Sequence, residues 1–142
     1  MENRFLGLDY GDKTIGVAVS LDGRVATGVT TIFRKDSAAL RPALKELKVI
    51  MAEYSTTHIV LGYPLNLDGS ESTRCTLTQA FKEKLERYFK SITVELWDER
   101  LSTLAVSRSF EGRSNKYHKH VDEMAAVYIL QGFLDCKNRE ER

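Results

Sequence analysis

Apolar and polar positions along this chain follow two different periods. Near the start, residues 5–8 (FLGL) and 14–19 (TIGVAV) form short apolar runs around a polar turn, Asp9-Tyr10-Gly11-Asp12-Lys13. The second run alternates, with Ile15, Val17 and Val19 on one face and Gly16, Ala18 and Ser20 on the other, which is the two-residue period of a strand. Together they predict a β-hairpin whose first strand ends at Asp9. The Gly-Ala-Ser face is nearly bare, so a helix or a ligand must approach it closely. Asp22-Gly23 is a turn signal, and residues 25–33, rich in Val and Thr, predict a third strand that completes an antiparallel meander.

Beyond residue 36 the period lengthens. Asp36-Ser37 offers an N-cap, and Leu40, Leu44, Leu47, Met51 and Tyr54 follow at helical spacing, with Pro42 tolerable only in the first turn. Residues 57–61 (THIVL) are continuously apolar, as in a parallel strand buried on both faces. A loop of turn formers, 62–70 (GYPLNLDGS), comes next, and Ser70 or Ser72 is placed to cap a helix carrying Leu77, Phe81, Leu85 and Phe89. Residues 92–97 (ITVELW) predict the last strand, ending in Asp98-Glu99-Arg100. Residues 101–109 look helical, 112–120 (GRSNKYHKH) are polar without period and predict a flexible loop, and a final helix is expected over about 121–135. The order β-β-β-α-β-α-β-α-α predicts an α/β fold. Its mixed five-stranded sheet combines the antiparallel three-stranded meander with two parallel strands, with helices on both faces. We expect a single domain over residues 1–136 and a charged tail at 137–142.

Composition narrows the function classes. With 142 residues, 42% hydrophobic and 29% charged, this is an ordinary globule long enough for a sizeable core. The net charge of +1 gives no global polyelectrolyte signal, so affinity for nucleic acid would have to be local. Cys75 and Cys136 stand in no metal-ligand spacing and fit reduced thiols. No apolar run approaches the ~20 residues of a membrane span, and residues 5–8 are too short for a signal-peptide core. A cytoplasmic protein without membrane contact is the expectation.

The candidate chemistry lies in the acids. Asp9 ends the first strand, Asp98-Glu99 ends the last, and Asp122-Glu123 opens the final helix, where Ala125-Ala126 permits close packing. Strand ends of one sheet edge converge even when distant in sequence. Clustered carboxylates repel unless a cation neutralises them, and an oxygen-only set selects Mg²⁺ or Mn²⁺. Two such ions about 4 Å apart clamp both oxygens of a phosphodiester displacement. Taken singly, each acid has a plainer role: a turn aspartate, a surface ion pair or a helix-start residue. Between residues 100 and 120 stand Arg100, Arg108, Arg113, Lys116 and Lys119 against Glu111 alone. Beside a carboxylate cluster, such a run suits a phosphate backbone. His118 and His120 lack the further ligands of a zinc site.

Four motifs in order, LGLDYGDKTIGVAVS at 6–20, IVLGYPLNLDGSES at 59–72, DERLST at 98–103 and VDEMAAVYILQGFLD at 121–135, carry a family resemblance. The chain resembles the YqgF family of bacterial RNase H-like proteins, described both as nucleases of precursor ribosomal RNA and as Holliday junction resolvases. The resemblance implies an RNase H-like fold and an active site of Asp9, Glu99 and Asp122 holding Mg²⁺ or Mn²⁺, as a pair of ions. It also implies maturation of the 5′ end of the small-subunit (16S) ribosomal RNA precursor. Lys13, Arg74, Arg100, Arg113, Lys116 and Lys119 are the candidate substrate contacts. The partners expected are structured RNA or branched DNA; a homodimer, which a two-fold junction would require, is left open. A non-catalytic RNA-binding role in ribosome assembly is the alternative from another class. An actin-like ATPase shares the Asp-x-Gly hairpin but needs two such domains.

Overall fold

A computed structural model describes residues 3–36, 40–101 and 115–140, with residues 115–122 described in backbone only. Strands β1 (Phe5–Tyr10), β2 (Thr14–Ser20) and β3 (Thr27–Phe33) precede helix α1 (Arg41–Tyr54). Strand β4 (His58–Tyr63), helix α2 (Thr73–Tyr88), strand β5 (Thr93–Asp98) and helix α3 (Asn115–Glu140) follow. A short 3₁₀ turn, Glu99–Leu101, follows β5 directly. The sheet order is β3-β2-β1-β4-β5. β1 pairs antiparallel with β2 and parallel with β4, and β4 pairs parallel with β5. This is the predicted mixed five-stranded sheet.

The alternation along the strands divides the core in two. Leu6, Leu8, Ile15, Val17, Val19 and Ile32 face α1 and α2, packing on Leu44, Leu47, Ile50, Phe81 and Leu85. Phe5, Ala18 and Val60 face α3 and pack on Ala126, Ile129, Leu130 and Leu134. Each Val, Leu, Ile or Phe among them that is fully withdrawn from water contributes about 1.5–3 kcal/mol. The bare face of β2 is therefore covered by α3. The same close approach governs β1: a Cβ at Gly7 would lie 2.7 Å from Leu130 Cβ and 3.1 Å from the Ala126 carbonyl oxygen.

Several boundaries differ from expectation. β3 starts at Thr27, because the Asp22 carboxylate accepts from the amides of Arg24 and Val25 and holds them in the turn. α1 starts after Leu40 and has Pro42 in its first turn; residues 37–39 lie outside the described residues. β4 runs on through Gly62 and Tyr63, which pair with Trp97 and Asp98 of β5. The helix expected over 101–109 lies outside the described residues beyond Leu101. Residues 115–120 are not a loop: α3 already begins at Asn115. Helical backbone bonds do not need an apolar stripe, and a helix end with no apolar period carries no sequence signal for its start. The last helix also runs past residue 136. Asn138 donates to the Gly23 carbonyl at 3.0 Å and Lys137 sits over the Phe5 ring, so α3 continues to Glu140.

Candidate active site

Asp9 lies on the α3 face of β1, two residues after Gly7. Its partner across β2 is Gly16. On the other side, β1 and β4 pair up to Leu8 and Leu61, so the next residue of β4 beside Asp9 is Gly62. Asp9 thus stands between strands that present no side chain next to it, which is where a second group or a ligand can approach the sheet.

Glu99 uses that space. It is the first residue after β5, and the 3₁₀ turn carries it back over the sheet. A Cβ at Gly62 would lie 3.0 Å from Glu99 Cγ and 3.1 Å from Cδ. The Glu99 carboxyl is pushed up to about 7, first by burial and then by the negative charge of Asp9, with Asp98 adding to it and Arg74 opposing it. An acid of the first strand in the chain and one just after the last therefore feel one another.

Around them the arginines are engaged. Arg74, at the start of α2, donates to Asp12 Oδ1 at 2.8 Å and to the Tyr10 carbonyl at 3.0 Å, and holds the Asp12 carboxyl below the usual range. Buried Arg34 donates to the carbonyls of Gly11 and Asp12 and lies over the Tyr10 ring at 4.8 Å. Tyr10 in turn stacks on Phe81 at 4.1 Å. The turn after Asp9 is thereby tied to β3 and α2. Arg100 grips both oxygens of Asp98, at 2.7–3.0 Å, and donates to the Leu67 carbonyl at 3.3 Å, latching the β4–α2 loop beside β5. Its hydrogen bonds hold the Asp98 carboxyl below its ordinary value.

Of the predicted acids, Asp9 and Glu99 are brought together. Asp122 is placed in backbone only, one turn before Ala126, whose carbonyl meets Gly7. Among the described residues no three acids, histidines or cysteines form a metal-holding group; the Asp122 side chain is outside that set. Glu123 lies over Gly28 of β3, where a Cβ would come within 2.5 Å of its Oε1. Of the predicted substrate contacts, Lys13 is exposed in the β1–β2 turn, Arg74 and Arg100 are engaged as above, Arg113 lies outside the described residues, and Lys116 and Lys119 are known in backbone only. Sequence reasoning missed Gly62 and Arg34. Gly62 reads as the first residue of a turn-rich loop, and only its place at the end of a buried apolar run hints at a strand glycine.

A family model described as "RuvX: Holliday junction resolvase" matches residues 3–136. The chain belongs to the RuvX family. Its similar relatives include proteins named "Putative pre-16S rRNA nuclease" from Agathobacter rectalis, 45% identical over 93% of this chain and 94% of that protein. Another, from Bacillus pumilus, is 44% identical over 95% and 99%. Among solved structures, Thermus thermophilus RuvC in complex with a Holliday junction substrate superposes with a TM-score of 0.60 at 9% identity, covering 95% of this chain and 96% of that one. That likeness places this RuvX chain in the RuvC, RNase H-like fold. Among its described residues no helix is long and apolar enough to cross a membrane.

Proposed function

We propose that this chain is a divalent-metal-dependent nuclease that hydrolyses phosphodiester bonds in structured RNA, maturing the 5′ end of the 16S ribosomal RNA precursor in the cytoplasm. The observation that carries the reading is the pairing of Asp9 and Glu99 over the glycine floor of β1 and β4, with the Glu99 carboxyl raised to about 7. A carboxylate so raised lacks a sufficient positive neighbour, and Arg74 alone does not supply it. The donors are all oxygens, which fits Mg²⁺ or Mn²⁺. Asp9, Glu99 and Asp122 would hold the metal. When bound, a pair of such ions stabilises the attacking and leaving oxygens of the displacement.

The chain's own residues supply the rest. Arg34 and Arg74 fix the turn that ends β1 and so orient Asp9. Arg100 fixes Asp98 and the 64–72 loop and so orients the 3₁₀ turn that bears Glu99. Lys13, exposed in the turn after Asp9, would meet a phosphate, and Arg113, Lys116 and Lys119 precede Asp122 in the chain. Relatives named for pre-16S rRNA, at 44–45% identity over nearly the full length, favour RNA. The family description favours a second reading, resolution of branched DNA; that reading needs a two-fold dimer. Matched RNA stems, flaps and four-way DNA junctions, each incubated with Mg²⁺ or Mn²⁺, decide between them. Cleavage of junctions alone would overturn the RNA reading, and cleavage of nothing would leave a non-catalytic RNA-binding factor.

A further inference from the structure

The arginines nearest the carboxylates are spent on acids: Arg74 on Asp12 and Arg100 on Asp98. Another group of cations has no acid to answer it among the described residues. On the sheet face covered by α1 and α2, a groove of about 360 Å³ runs between the first turn of α1 and the last turns of α2, lined by Leu40, Arg41, Leu44, Lys84, Arg87 and Tyr88. Leu40 and Leu44 are buried and form an apolar floor, Tyr88 is 36% exposed, and all three cations are exposed. Among the described residues none of these cations makes an ion pair or a side-chain hydrogen bond. Among the described residues no carboxylate lines the groove. The contrast lies within α2 itself, where Lys82 is matched by Glu86 at 2.9 Å.

Three like charges around an apolar cleft repel one another. A cationic rim, an aromatic ring and an apolar floor together match single-stranded nucleic acid: a base stacks on the ring, and the flanking phosphates meet the cations. A small acidic metabolite would satisfy the cations but leave the ring and floor unused. The carboxylates lie on the α3 face, so the groove is on the opposite side of the sheet. Only a substrate long enough to pass around the sheet reaches both.

We propose that this groove grips a single-stranded extension of the substrate RNA, with a base on Tyr88 and phosphates on Arg41, Lys84 and Arg87. This rests on reading the chain as a nuclease of structured RNA. The test uses the full chain and two RNAs: a blunt stem, and the same stem with a single-stranded extension of about 15 nucleotides. Binding is read by fluorescence anisotropy at several salt concentrations, without divalent metal. Wild type should bind the extended RNA about 100-fold more tightly, the low end of the gain expected from a second linked contact. The triple change Arg41→Glu, Lys84→Glu, Arg87→Glu should abolish that gain and flatten the salt slope by about 2, at about 0.7 per lost phosphate contact. Metal-dependent cleavage of the blunt stem should be unchanged in the same variant. Tyr88→Ala should lower affinity for the extended RNA about five-fold at an unaltered salt slope, since a stacked base contributes without releasing counterions. Equal binding of the two RNAs by wild type, or a triple variant that keeps the gain, overturns the groove alone. A wild type that neither binds nor cleaves any RNA overturns both the groove and the nuclease reading.

Discussion

Glu99 occupies the space that a side chain at Gly62 would fill. An added Cβ would meet Glu99 Cγ at 3.0 Å and Ile129 Cδ1 at 2.5 Å, so one substitution disturbs both the candidate site and the packing of α3. Gly62→Ala should lower cleavage about 100-fold, as expected when a reacting group is misplaced by about 1 Å. It should also cost about 1–3 kcal/mol from overpacking. The two effects are separable. Adding Ile129→Val removes the Cδ1 atom and should recover most of the stability without the activity. Thermal melts and single-turnover cleavage of the double variant decide; recovery of both would mean Gly62 serves α3 packing alone.

The Glu99 carboxyl also sets a pH dependence. Its value is raised from 4.5 to about 7 in the folded protein. Between those values the native state binds more protons than the unfolded one, so stability falls as pH rises through the window. The stabilising contribution is complete below pH 4.5 and lost above 7. Metal-free protein should therefore melt lower at pH 8 than at pH 5.5 by more than Glu99→Gln does, and the variant should gain about 1–2 kcal/mol at pH 8. Parallel pH profiles for the two proteins would place Glu99 in solvent.

Removal of either partner acid gives a complementary test. Asp9→Asn should abolish cleavage with the fold intact, and in metal-free protein should bring the Glu99 carboxyl down, because the Asp9 charge is one of its causes. Carboxyl chemical shifts followed against pH read this directly. An unmoved Glu99 titration would separate the two acids.

Asp122 is tested through ligand linkage. A metal that binds only the native state raises its melting temperature by mass action. Millimolar Mn²⁺ should stabilise the wild type and hardly affect Asp122→Asn. Equal shifts would make Asp122 a helix residue with no part in the site.

The basic approach to Asp122 makes a separate claim. Changing Arg113, Lys116 and Lys119 together to Ala should weaken RNA binding alike for all sequences and lower the salt slope by about 0.7–0.9 per lost contact. Folding should be affected by less than about 0.5 kcal/mol if these are surface charges. An unchanged slope would move the substrate path to Lys13 and the α1–α2 groove.

Much of this was legible in the residues. Strand alternation at Ile15, Val17 and Val19, and the continuous run ending at Leu61, were enough to give the mixed sheet, because burial on one face or two leaves different periods. Strand order alone set Asp9 beside the Asp98-Glu99 pair, and only the family resemblance singled out Glu99 from Asp98. The extent of α3 could not be read, since polar residues 115–120 form helical bonds without any apolar stripe. Nor could the engagement of Arg74 and Arg100: an arginine before an apolar helix looks the same whether it faces solvent, Asp12 or a phosphate. Gly62 shows the same limit from the other side, because its meaning lies in Glu99, which is distant in the chain.

The order of elements also has a consequence in time. Asp9 comes from the first strand and Glu99 from just after the last, while α3, which crosses the sheet and bears Asp122, follows every other element. Such a site has high contact order and forms only when its most distant segments meet. During synthesis from the N-terminus, the sheet, α1 and α2 can collapse before α3 has emerged. A nascent chain would then hold Asp9 and Glu99 without the helix that bears Asp122. On the proposed reading, a nuclease translated by the ribosome stays harmless to the RNA around it until its own final helix is in place.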